Sequence, residues 1–130
     1  MLFDSHAHLD DEAFDADRED VIARALANGL TGIVNPGSCM KSSAAALALA
    51  QQHAAIYAAV GIHPHDADSA DEAAYEQLRG WSWHPKVVAI GEIGLDYHYD
   101  FSPRSVQQDV FVRQLAVAKE CDLPVILHDR

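Results

Sequence analysis

The sequence is short of positive charge, of cysteine and of long apolar runs. Nine Lys and Arg stand against twenty Asp and Glu, a formal net charge of −11. A broad basic face that would bind nucleic acid through its phosphates is therefore not available. Cys39 and Cys121 are the only cysteines. They match neither a CxxC pair nor a disulfide framework, and read as small buried or half-buried thiols of a reducing compartment. The opening Met1-Leu2-Phe3-Asp4-Ser5 has no basic n-region and is soon followed by Asp10-Asp11-Glu12, unlike a signal peptide. No apolar run approaches the ~18 residues of a membrane span. The expected location is the cytoplasm, with no membrane partner.

What is present is a chain of 130 residues, 49% of them hydrophobic, enough for one domain spanning residues 1–130 with a real core. Five short segments read as strands: Leu2 to Leu9, Leu30 to Asn35, Ile56 to Ile62, Val87 to Ile93 and Leu123 to Leu127. Several are apolar almost throughout, as expected of parallel strands covered by helices. Four helical patterns lie between them. Asp17 to Asn28 carries Val21, Ile22, Ala25 and Leu26 on one face before Gly29. Ser42 to His53 is alanine-rich with Ser42 as its expected N-cap. Asp71 to Arg79 has its acids early. The last follows Ser102-Pro103, an N-cap and first-turn proline, and carries Val106, Val110, Phe111, Leu115 and Ala118 at helical spacing. The β-α-β-α-β-α-β-α-β order predicts an α/β fold with a parallel sheet.

Polar residues punctuate the ends of these strands. His6 and His8 close the first, His63 the third and His128 the fifth, while Glu92 lies near the end of the fourth. In parallel α/β folds the C-terminal strand ends together form the active face. His6 and His8, two apart on a strand, project to one side and can grip a cation. Glu92 sits in an apolar run between Gly91 and Gly94. A buried carboxylate needs a cationic partner or a metal, and its two oxygens suit it to bridging two ions. The glycines permit close backbone approach or unusual dihedrals. His63-Pro64-His65 repeats the HxH spacing and competes with His6 and His8 as a metal pair. Asp96 and Tyr97 are candidates for a supporting or substrate-contacting loop, and Arg130 for a bidentate phosphate contact. His53, His84 and His98 read as surface, turn and loop residues.

Four runs carry a resemblance: Phe3-Asp4-Ser5-His6-Ala7-His8-Leu9-Asp10, Gly61-Ile62-His63-Pro64-His65, Ile90-Gly91-Glu92-Ile93-Gly94-Leu95-Asp96-Tyr97, and Leu123-Pro124-Val125-Ile126-Leu127-His128-Asp129-Arg130. In this order and spacing the sequence resembles the TatD family of metal-dependent deoxyribonucleases. The resemblance implies a TIM-type (β/α) barrel of the amidohydrolase-like kind, here the first half, with five strands and four helices. It implies exonucleolytic hydrolysis of DNA phosphodiester bonds, by in-line attack of a metal-activated water. His6, His8, Glu92 and His128 become metal ligands, Glu92 bridging and catalytic. His63 becomes a catalytic, substrate-side residue, with His65, Asp96, Tyr97 and Arg130 around the substrate. The cofactor would be two divalent ions, Mg, Mn or Zn. They would add about four positive charges where an acidic chain must hold a phosphate.

A typical barrel runs to ~250 residues, so about half is expected to be missing. Closure would need that half or self-association, and the chain alone is expected to be nearly inactive. Two other readings remain at this point: a related metal hydrolase acting on a small amide or ring substrate, and an inactive barrel fragment. The first commonly places a lysine on strand four, where this chain has Glu92.

Overall fold

The computed structural model describes residues 1–130. Five strands, β1 (Leu2–Asp4), β2 (Leu30–Pro36), β3 (Ile56–Val60), β4 (Val87–Leu95) and β5 (Val125–Asp129), alternate with four α-helices. The helices are α1 (Arg18–Ala27), α2 (Met40–Gln52), α3 (Glu72–Ser82) and α4 (Arg104–Glu120). Short 3-10 turns at Glu12–Phe14 and Pro64–Ser69 complete the list. All strand pairs are parallel, and the sheet order is the chain order, β1-β2-β3-β4-β5. This is the expected first arc of a (β/α) barrel. It is open, since β1 pairs only with β2 and β5 only with β4.

The two faces of the sheet differ. Ile33, Ile56, Ala58, Val60, Ile90 and Ile93 join the helices in the main core, which includes Ile22, Leu47, Leu78, Val110 and Val117. On the opposite face Val34, Ala59 and Ala89 form a small cluster with Tyr57, Val88 and Ile126. Phe3 and Leu127, at the two edge strands, are more than half exposed. One face is a helix-covered core and the other is an interior awaiting contents.

Where the boundaries differ from expectation, side chains have taken hydrogen bonds that a longer strand would need. β1 ends at Asp4 because its Oδ1 accepts the His6 amide at 3.0 Å, folding the chain out of the ladder. His6 and His8 therefore occupy the segment after the strand. β3 likewise ends before His63. The Gly61 amide donates to Ser43 Oγ at 3.0 Å and the Ile62 amide to Gln114 Oε1 at 2.7 Å. Helix α2 begins earlier than expected, with Cys39 at the cap and Ser42 three residues inside, in a reciprocal capping arrangement. Ser102 caps nothing; its hydroxyl donates to the His65 carbonyl at 3.2 Å and accepts the Asp68 amide at 3.2 Å. On α4 the buried residues are Gln107, Val110, Gln114, Val117 and Ala118, with Leu115 at the exposed margin.

Candidate metal centre

The loop after β1 brings His6 and His8 together, their Nε2 atoms 3.1 Å apart. The loop is pinned from two directions. Asp10 and Asn35 exchange hydrogen bonds, Asp10 N to Asn35 Oδ1 at 3.1 Å and Asn35 Nδ2 to Asp10 Oδ1 at 2.8 Å. Arg18 donates to the Leu9 carbonyl at 2.6 Å and to the Asp11 carbonyl at 2.9 Å.

Glu92 faces both ends of the cluster. Its Oε2 lies 3.5 Å from His6 Nε2 and 3.8 Å from His8 Nε2, and its Oε1 lies 3.3 Å from His128 Nδ1. No Lys or Arg pairs with it, so the ordinary structural reason for a shielded carboxylate is missing. Its amide donates to the Gly37 carbonyl at 2.8 Å, tying β4 to the end of β2. The flanking glycines have separate causes. A Cβ on Gly91 would meet Ile126 Cβ at 2.6 Å, whereas Gly94 has φ +147 and abuts the His128 carbonyl.

A second set, His63, His65 and His128, adjoins the first. His63 is buried, its amide held by the Ser38 carbonyl and its Nδ1 accepting the His65 amide at 3.0 Å. Burial, reinforced by the neighbouring His128 and His65, lowers its pKa from 6.5 to about 4. The neutral ring thus keeps Nε2 for other contacts. His65 Nε2 and His128 Nε2 both meet Asp96 Oδ2, at 2.8 and 2.9 Å. Asp96 Oδ1 accepts the amides of His98 and Tyr99 at 3.1 and 2.9 Å. Burial pushes the Asp96 carboxyl up, but the Tyr99 amide and the rings of His128 and His65 outweigh it and hold the group ionised.

His6, His8, Glu92 and His128 thus converge, with His63 and His65 alongside. Asp96 is fully buried and faces the two rings from behind. Tyr97 stands apart, its ring under the Arg104 guanidinium at 4.3 Å and its hydroxyl accepting from Gln108 at 2.7 Å. Arg130 lies over the Tyr99 ring at 5.0 Å. The donor set fits divalent cations. Imidazole nitrogens and carboxylate oxygens point at one another across gaps too long for strong hydrogen bonds, with no protein cation among them.

Two supports escaped the sequence reading. Gln107 accepts the Asp96 amide at 2.8 Å and donates to the Asp96 carbonyl at 3.1 Å and the Ser102 carbonyl at 2.8 Å. Gln114 does the same for Ile62, the residue before His63. The available signal was two glutamines, seven apart, on the apolar face of α4.

Residues 3–130 match the sequence model of the family described as TatD related DNase. The chain belongs to this family. A relative from Bacillus subtilis, named as the uncharacterized metal-dependent hydrolase YabD, is 47% identical over 130 residues, covering 100% of this chain and 51% of the relative. The 3'-5' ssDNA/RNA exonuclease TatD of Enterobacter lignolyticus is 42% identical over 129 residues, covering 99% and 50%. Among solved structures, YjjV, a TatD homologue from Escherichia coli, superposes with a TM-score of 0.91 at 39% identity, over 99% of this chain and 51% of that one. The chain spans about half the length of the curated relatives it matches.

Proposed function

We propose that this TatD-family chain carries one side of a metal-dependent phosphodiesterase centre acting on DNA, as an exonuclease. The observation that carries the reading is the division of Glu92, one oxygen toward His6 and His8 and the other toward His128. In this reading His6, His8 and Glu92 hold one divalent ion, and Glu92 with His128 holds a second. The ions supply positive charge for the attacking and leaving oxygens of a phosphodiester and lower the pKa of water. The chain's own residues do the rest. His63 offers Nε2 to a phosphate oxygen, since its Nδ1 is occupied. Asp96 holds His65 and His128 in fixed orientations. Arg130 is available to an anionic backbone. The open edges of β1 and β5 call for further strands, from the rest of a longer chain or from a second copy, to close the barrel.

The exonuclease relatives favour a nucleic-acid substrate over a small amide or ring compound. The test combines calorimetric titration of Mg, Mn and Zn with assays on end-labelled DNA, RNA and small esters, for the wild type and Glu92→Gln. Metal uptake lost in Glu92→Gln and metal-dependent shortening of DNA support the reading. Hydrolysis of small esters without any attack on DNA overturns it.

A further inference from the structure

Beside the histidines stands an aromatic surface that the metal chemistry does not use. Tyr99 and Phe101, in the loop between β4 and α4, stack with ring centroids 5.2 Å apart and planes 12° from parallel. They are 46% and 63% exposed, and being stacked they form one contiguous aromatic face. Both meet the His65 ring edge-on, at 5.5 and 4.8 Å. His65 in turn meets His63 at 4.3 Å, and His63 meets His128 at 4.2 Å. A continuous line of ring contacts therefore runs from the metal ligands to an open aromatic face.

The face is built rather than loose. Asp96, which holds His65 and His128 through Oδ2, also accepts the Tyr99 amide through Oδ1 at 2.9 Å. Ser102, fully buried, ties the next residue of the loop to the His65 carbonyl. Arg104 closes the other flank by pairing with Asp100 at 2.8 Å. The Arg130 guanidinium stands 5.0 Å over the Tyr99 ring.

We propose that Tyr99 and Phe101 form a stacking platform for an unpaired nucleobase of a strand held at the metal centre, with Arg130 contacting its phosphate backbone. The assignment rests on the phosphodiesterase reading, takes as ligand the single-stranded nucleic acid for which the exonuclease relatives are named, and adds the residues that would hold its base. Aromatic rings accept the face of any base, so the platform is tolerant of sequence. A base inside a duplex has both faces covered by its neighbours and cannot use it. Single strands and frayed ends can. Placement beside the metal ligands matches a base adjoining the phosphate being cut, and Arg130 supplies the charge complementarity that a purely protein-covered patch would not need.

The test is fluorescence anisotropy with the 130-residue chain at a fixed manganese concentration. The probes are a short labelled oligothymidylate and the same strand with abasic residues. Phe101→Ala and Tyr99→Ala should each weaken binding of the base-bearing strand about tenfold. They should leave the abasic strand unchanged, and Phe101→Trp should retain affinity. Both side chains are exposed, and circular dichroism checks that each variant keeps its fold. Equal binding of the two strands by every variant would overturn the platform while leaving metal-dependent strand binding, and so the nuclease reading, intact. Altered self-association in ultracentrifugation with unchanged strand binding would also overturn it, by making the patch a protein contact. Failure of either strand to bind, although manganese titrates normally, would instead remove the phosphodiesterase reading itself.

Discussion

Replacing Gln114 by Met tests how the His63 segment is held. Gln114 and Ile62 are 0% and 1% exposed, and the Gln amide makes two bonds to Ile62: Oε1 to its N–H at 2.7 Å and Nε2 to its C=O at 3.0 Å. Methionine nearly reproduces the volume but offers neither donor nor a useful acceptor, so the change removes hydrogen bonds without opening a cavity. Each stranded buried group costs about 1–3 kcal/mol, giving about 2–6 kcal/mol for the pair. That is a large share of the ~5–15 kcal/mol by which domains are stable. The assay is equilibrium urea unfolding, with Gln52→Met, at the exposed end of α2 and without a side-chain partner, as control. The control should stay within about 0.5 kcal/mol. Gln114→Met should lower the urea midpoint strongly with the slope unchanged, and should shift the His63 ring resonances. A loss under ~1 kcal/mol at unchanged slope would refute the reasoning, since two orphaned buried groups cannot cost so little.

Three further outcomes follow from the site and the sheet. Glu92→Gln should reduce metal bound per chain, measured by elemental analysis after dialysis, whereas His63→Ala should leave it unchanged; the reverse pattern would make His63 the ligand. Asp96→Asn should weaken metal binding about 10- to 100-fold in calorimetric titration. Nitrogen NMR should also report a changed tautomer at His65 and His128, because an amide NH2 cannot accept from their Nε2. The open edges of β1 and β5 should make the purified chain associate, and a single monomeric species across the concentration range in ultracentrifugation would count against that.

The alternation of strands and helices was legible because apolar runs with period-breaking glycines and prolines are local signals. Val87 to Ile93 and Asp17 to Asn28 needed nothing beyond their own residues. The convergence of His6, His8, Glu92 and His128 followed from one topological rule about strand ends, applied to motifs far apart in the chain. Side-chain capture of backbone groups was not legible. Asp4 ends β1, Cys39 displaces Ser42 as the α2 cap, and Ser102 bonds across to His65, each through a partner set by the fold. The buried roles of Gln107 and Gln114 are hidden for the same reason. A polar residue looks alike in sequence whether it meets water, substrate or a backbone amide. Tyr97 makes the point from the other side, as it adjoins Asp96 in the chain yet turns toward Arg104 and Gln108.

The order of the sheet also sets the order in which the molecule can be made. Each strand lies beside its predecessor, Leu2 with Leu30, Ile33 with Ile56, Ala58 with Val87 and Ile90 with Val125. Each new strand therefore pairs with one already synthesised, and each addition closes a loop of one helix. The candidate metal centre follows a different clock. His6 and His8 appear with the first strand and His128 with the fifth, so the cluster of His6, His8, Glu92 and His128 exists only after β5 docks. On the proposed ligand set, metal affinity would report the docking of β5, and a chain stalled after β4 would hold the ion poorly.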